Sequence, residues 1–247
     1  MGRLLRKTHR LIYFACVLVV AGIHYPVLHF LAKRPERHYH RIAAIRERIA
    51  RVSSRLIGLH FNVTYQTEID WNTPYIICAN HTSILDIAVL THLIPHGFSF
   101  LGKEELLRQP VTSTFFKTID IPINRDSKIS SFRAFKRAEQ LVQQGKTIAI
   151  FPEGGIEEQY PPTLQKFKAG AFRIAQTTQT PILPVVIHNA WSHMWDDGGF
   201  SGFRPGVIHV SVLQPIIIDP TSENQHNQLA RLVYDKMEKC LRNPGSI

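Results

Sequence analysis

The chain has little cysteine: three residues in 247, Cys16, Cys78 and Cys240. An odd number, each in an apolar or helical context, excludes a disulfide framework and fits buried thiols of a reducing compartment. Also missing is any cluster of His, Cys, Asp and Glu at ligand spacing. The 13 histidines are scattered, and the pair His38 and His40 has no partner group, so no metal is expected. Internal repeats, low-complexity tracts and a linker between globular units are absent as well, which leaves one large domain with at most an appendage. With 44% hydrophobic residues the chain can bury a sizeable core, which excludes a disordered chain.

Acidic residues are scarce at one end. Residues 1–58 hold twelve of the 29 Lys and Arg but only Glu36 and Glu47 among the 19 acids, so this segment carries the whole formal charge of +10. The remaining 189 residues balance, with seventeen of each sign. A nucleic-acid-binding domain is disfavoured by that balance. The basic residues instead flank the longest apolar stretch, Leu11 to Ala32, an arrangement that suits an anionic lipid surface at about 1 kcal/mol per basic residue near the headgroups. At 22 residues the stretch is long enough to span a bilayer, while Pro26, His24 and His29 weaken its second half; spanning and in-plane insertion both remain open. No small-x-small cleavage site follows, which argues against a signal peptide. The heavier basic flank on the carboxyl side puts the rest of the chain on the cytoplasmic face of the membrane.

From Arg37 to Gly58, Ile42, Ile45, Ile49, Val52 and Leu56 recur at helical spacing, with Arg41, Arg48 and Arg55 seven apart on another face. This helix either packs on its own domain or lies between lipid and core, forming with Leu11 to Ala32 a two-helix membrane-associating unit, residues 1–58. Residues 59–247 then alternate β-branched apolar runs with helical patterns, the signature of an α/β domain with a mixed central sheet flanked by helices. Strands are expected at 61–65, 75–78, 99–101, 120–123, 147–151, 182–187 and 207–218, and helices at 83–93, 129–144, 169–177 and 224–242.

The stretch Ala79-Asn80-His81-Thr82-Ser83-Ile84-Leu85-Asp86 ends a buried strand with polar residues and sets an acid inside an apolar helix. In a continuous helix, residues five apart point about 140° from each other. His81 must therefore sit before the first regular turn, folded back so that Asp86 holds one ring nitrogen. The carboxylate then fixes the tautomer and leaves the other nitrogen to take a proton from a hydroxyl. This is the base and orienter of a catalytic triad without an obvious nucleophile. The alternative is a structural cap with a buried ionic link, and Thr82 and Ser83 are expected to cap the helix.

Further on, Phe151-Pro152-Glu153-Gly154-Gly155 follows a strand. Its glycines permit close approach of backbone N–H groups to a ligand oxygen, and Glu153 can accept from a hydroxyl; a tight turn is the plainer alternative. Lys166, Lys168, Gly170 and Arg173 lead into a helix that can hold an anion. In Ile121-Pro122-Ile123-Asn124-Arg125-Asp126, Arg125 either clamps a phosphate or pairs with Asp126. The run Thr180 to Ile187, with Pro181 and Pro184, reads as a wall.

Taken in order, "NHTSILD", then "KEELL" with "PINRD", then "FPEGG" with "FKAGAFRIA", then "TPILPVVI" resemble the four consecutive motifs of the 1-acylglycerol-3-phosphate acyltransferases, over roughly Tyr75 to Ile187. The resemblance implies acyl transfer from an acyl thioester, acyl-CoA or acyl-ACP, to the free hydroxyl of a lysophospholipid, with no cofactor beyond that co-substrate. It implies His81 as general base and Asp86 as its orienter. Lys103 and Arg125 would lie near anionic groups of acceptor or donor, Glu153 and the Gly154 and Gly155 backbone at the acceptor glycerol, and Pro184 beside them. The family commonly has Glu-Gly-Thr-Arg where this chain has Glu153-Gly154-Gly155-Ile156, followed by Glu157 and Glu158. The phosphate would then fall to Arg125, Lys166 or Lys168, or the acceptor would carry another headgroup, as in a lyso-ornithine lipid, a glycolipid or a zwitterionic lysophospholipid. A non-catalytic lipid-binding protein is the remaining alternative.

Overall fold

The runs Ile76–Ala79 and Ile182–Ile187 are buried at every position, as strands covered on both faces are. In the computed structural model, which describes residues 3–156, 159–195, 202–219 and 226–243, they lie side by side at the centre of a seven-stranded sheet. In chain order the strands are β1 (Leu59–Tyr65), β2 (Ile76–Ala79), β3 (Ser99–Lys103), β4 (Ile121–Ile123), β5 (Ile148–Ile150), β6 (Ile182–Ile187) and β7 (Gly206–Val212). Across the sheet they run β1-β7-β6-β2-β5-β3-β4. The five from β6 to β4 are mutually parallel, β7 is antiparallel to β6, and β1 pairs parallel with β7. The sheet is mixed and flanked by helices on both faces, as expected.

On one face lie α1 (Arg3–Leu31), α2 (Tyr39–Leu56) and α3 (Leu85–Leu93), and on the other α5 (Lys128–Gln143), α6 (Gly170–Thr178) and α8 (His226–Arg242). The short helices α4 (Thr112–Phe116) and α7 (Ala190–His193), and a 3₁₀ turn over Glu104–Arg108, carry too few residues for a readable period. Alternation along β2 sends Ile77 and Ala79 into the first core and Ile76 and Cys78 into the second. All three cysteines are free thiols.

Several boundaries differ from the sequence expectation. The last strand stops at Val212: Leu213 N–H still donates to Pro184 O at 3.0 Å, but Pro184 has no N–H to return, and a lone bridge from Ile216 to Ile182 resumes beyond it. In α2 the inward residues are Tyr39, Ile42, Arg46, Ile49 and Ser53, while Val52 and Leu56 are 37% and 64% exposed. The expected stripe through Val52 and Leu56 is thus corrected: an arginine takes the core position between Ile42 and Ile49, its charge paired internally. Glu157, Glu158 and the expected start of the last helix at Asn224 lie outside the described residues.

The amino-terminal helices are packed onto the domain. Tyr13 stacks on Phe203 with centroids 5.7 Å apart, and Leu28 and Leu31 pack with Ile42, Ala43, Ile49, Phe115 and Ile119.

Candidate active site

Strand β2 leads into α3 on the first face, and its neighbour β5 leads towards α6 on the second. Adjacent parallel strands whose connections diverge leave a crevice at their carboxyl ends, the place where open α/β sheets bind ligands. His81 follows one of these strands and Phe151 to Gly155 the other, with Phe151 stacked on the His81 ring.

Each polar residue of the turn after β2 has a defined partner. The Asn80 side chain extends the ladder to β6: its Nδ2 donates to Ile187 O at 2.9 Å and its Oδ1 accepts from Ile187 N at 2.7 Å. His81 Nδ1 lies 3.0 Å from Asp86 Oδ2. The same oxygen accepts from the backbone N–H of Thr82 at 2.6 Å and Ser83 at 2.8 Å, so the carboxylate gathers the turn that the histidine needs. This corrects the expected capping by Thr82, whose hydroxyl caps nothing: α3 begins only at Leu85, and Asp86 takes the Thr82 and Ser83 amides. Ser83 Oγ donates to Met194 O at 2.6 Å and accepts from Leu85 N. Fully buried and committed in this way, it is no nucleophile. Neither is Cys78, whose thiol pKa burial pushes well above the usual thiol range.

On the β5 side, Glu153 is buried and accepts two backbone bonds, from His81 N–H through Oε1 and from Gln165 N–H through Oε2, both at 2.7 Å. It braces the histidine to the loop that follows. Gly154 has φ +89°, a conformation that favours glycine, and an added Cβ would meet Lys168 Nζ at 2.6 Å. The lysine side chain therefore runs directly over the glycine backbone, tethered by Lys168 N–H to Pro152 O at 2.8 Å. The Cβ side of Gly155 is open.

Of the residues singled out by sequence, the structure thus gathers His81, Asp86, Glu153, Gly154, Gly155 and Lys168. Lys103 and Arg125 lie further along the same edge, at the ends of β3 and β4. Asn124 Nδ2 donates to Glu104 Oε1 at 2.7 Å, and the charge that faces Arg125 is Glu105, not Asp126. Burial lowers the Arg125 pKa and Glu105 offsets part of that effect. Lys166 is exposed on the loop before α6. Pro184 is in register with Cys78, and alternation turns it to the second core, away from the face where Phe151 packs. A cavity of about 790 Å³ lies along β4, lined by Lys117, Pro122, Ile129 and Arg133 among others, with no residue of the histidine turn.

Sequence reasoning missed the roles of Asn80, Phe151, Arg46 and Asp120. Only Arg46 left a signal, a charge at an apolar position of a helical stripe.

The family model described as Acyltransferase matches residues 60–188, just over half the chain and all of this site. The chain belongs to the acyltransferase family. Among its members, the 1-acyl-sn-glycerol-3-phosphate acyltransferase of Saccharomyces cerevisiae is 28% identical over 78% of this chain and 64% of its own length. The protein of that name from Borreliella burgdorferi is 28% identical over 77% and 75%, and the human beta enzyme 32% over 67% and 58%. The chain therefore spans less than two thirds of the yeast and human proteins. The crystal structure of the 1-acyl-sn-glycerophosphate (LPA) acyltransferase PlsC from Thermotoga maritima has the same fold, with a TM-score of 0.77 over 98% of both chains at 20% identity.

Proposed function

We propose that the protein transfers a fatty acyl group from a thioester, on CoA or acyl carrier protein, to the free hydroxyl of 1-acyl-sn-glycerol-3-phosphate, giving phosphatidic acid. The observation that carries the reading is the His81–Asp86 pair at 3.0 Å, with the other ring nitrogen, Nε2, making no hydrogen bond among the described residues. Asp86 holds Nδ1–H, so Nε2 can accept the hydroxyl proton as the alcohol oxygen attacks the thioester carbonyl carbon. The tetrahedral oxyanion then collapses, the C–S bond breaks, and the leaving thiolate takes the proton back from the imidazolium. No acyl-enzyme forms, in keeping with the commitments of Ser83 and Cys78.

Lys168, lying over Gly154, is the cation best situated for the acceptor phosphate, with Lys103, Arg125 and Lys166 as further contacts; the Gly154 and Gly155 backbone faces the glycerol. Glu153 acts by holding the His81 amide, and Pro184 backs the sheet behind the site. The names of the relatives support a lysophosphatidic acid acceptor. Replacement of the family's Thr-Arg by Gly155-Ile156 favours testing other lysolipids beside it.

The protein works at a membrane, on its cytoplasmic side. Along α1, Leu4, Leu11, Val19, Ile23 and Phe30 are 62–79% exposed, whereas Tyr13, Val20, Leu28 and Leu31 are buried against the domain. A helix packed on its own domain at both ends, apolar on its outer side, lies in the plane of the lipid surface.

The test offers purified protein a mixture of lysolipids with acyl-CoA and acyl-ACP donors and identifies products by mass spectrometry. Phosphatidic acid from wild type, lost in His81→Ala, is expected. An ester of another headgroup would replace the acceptor, and wild-type turnover by His81→Ala would remove the base.

A further inference from the structure

A line of aromatic rings runs from helix α2 to the catalytic histidine. Arg46, with a side chain only 7% exposed, donates through Nη1 to Asp120 Oδ1 at 2.7 Å and through Nη2 to Phe98 O. Its guanidinium carbon is 4.2 Å from the Phe98 ring centroid and 5.4 Å from that of Phe100. Asp120 Oδ1 also accepts from Phe100 N–H at 2.9 Å, which ties β3 and the Phe98 residue just before it to the same ion pair. Phe98 and Phe100 meet edge to face at 4.6 Å, and Phe100 stacks towards Phe151 at 6.0 Å. Phe151 lies flat on His81, with centroids 3.9 Å apart and planes inclined by 10°. The order β2-β5-β3 dictates this sequence, since Phe151 leaves the strand between those that lead to His81 and carry Phe100.

We propose that Phe151 is a positioning residue for the His81 base, and that Arg46 on α2 fixes Phe151 through the Phe98 and Phe100 rings. The inference rests on His81 acting as base and adds what holds its ring. Asp86 holds Nδ1 and Glu153 holds the backbone amide, but coupled rotation about the Cα–Cβ and Cβ–Cγ bonds can still tilt the ring about the anchored Nδ1 and move Nε2. A ring face at van der Waals distance removes that freedom. The parallel stack has a second consequence: two neutral rings face to face gain little, whereas a cation over a ring face is attracted by the quadrupole. Phe151 therefore favours the imidazolium that forms during proton transfer over the neutral ring that precedes it. An interaction stronger in the transition state than in the ground state raises kcat without changing KM.

The experiment uses the full-length protein with ¹³C-labelled histidine, the His81 signal being the one absent in His81→Gln. In wild type the His81 ring proton is expected upfield of the other histidines through the Phe151 ring current. In Phe151→Leu it moves back, and kcat falls about 10- to 100-fold with KM nearly constant. Phe151→Tyr, which keeps the ring, restores most of both. Phe100→Leu leaves the Arg46–Asp120 pair intact and is expected to move the same resonance and lower kcat to a smaller degree. An unmoved signal or an unchanged kcat in Phe151→Leu overturns the positioning role. No response to Phe100→Leu overturns the link to α2. A wild type that shows the ring-current shift yet acylates no lysolipid would instead sink the acyltransfer reading and leave the stacking intact.

Discussion

His81 Nδ1 lies 3.0 Å from Asp86 Oδ2, although residues five apart on a continuous helix face away from each other. The pair meets because Asp86 also accepts the Thr82 and Ser83 amides, which turns the chain back before α3 begins. Orienter and turn former are one carboxylate. Asp86→Asn is therefore expected to lower kcat/KM by about 10²- to 10⁴-fold, since the amide can present an N–H where Nδ1–H requires an acceptor. Steady-state acyl transfer, with circular dichroism to show a folded variant, checks this.

The His81–Asp86 relationship was legible in the sequence because the i, i+5 spacing at a strand end admits one useful geometry. The α/β class, the long helices and the central strands were legible from their periods. What was not legible depends on long-range register. Asn80 meets Ile187 and Glu153 meets His81 N–H only because the sheet sets β6 and β5 on either side of β2. Nothing local in "FPEGG" tells that the carboxylate serves the protein's own backbone. Likewise Arg46 and Asp120 are 74 residues apart, and their meeting is a property of the packed fold.

Glu153→Gln is expected to cost about 1–3 kcal/mol, because one of two buried acceptors becomes a donor facing a backbone N–H. Thermal melting reads the loss, and kcat should fall with it, since the His81 amide loses its brace. A variant as stable and as active as wild type would remove Glu153 from the support of the base.

Arg46→Met leaves the Asp120 carboxylate buried without its cation. Burial already raises the Asp120 pKa, and the Arg46 guanidinium and Phe100 N–H pull it back. Removing one partner of such a pair is expected to destabilise the fold by about 3–5 kcal/mol, and Arg46→Met with Asp120→Leu to recover much of it. Denaturant unfolding of the two single variants and the double variant checks the coupling.

Stability should also fall on the acid side of neutrality. Burial lowers the pKa of His188, whose Nε2 lies 2.8 Å from Ser211 Oγ, and nearby His209 lowers it further. A base whose folded pKa is depressed stays neutral in the fold and takes up a proton more readily when unfolded. Its contribution is whole above the usual histidine pKa of about 6.5 and drains away as pH falls. Melting temperature is expected to drop from pH 7 to pH 5, with a shallower slope in His188→Gln; equal slopes would assign the dependence to other groups.

The two sides of α1 should respond oppositely to charge. Leu11 and Ile23 are 71% and 70% exposed, whereas Val20 is buried at 7%. Leu11→Glu with Ile23→Glu removes two side chains from the lipid, at about 1.5–3 kcal/mol each, and so should weaken binding to anionic vesicles by about 10²-fold or more. The melting temperature in detergent should hardly change, because neither side chain packs on the protein. Val20→Glu should do the reverse, lowering the melting temperature by burying a charge against α2 and α4. Vesicle co-sedimentation beside thermal melts separates these outcomes. A helix that crossed the bilayer away from its domain would make all three substitutions act alike on membrane binding.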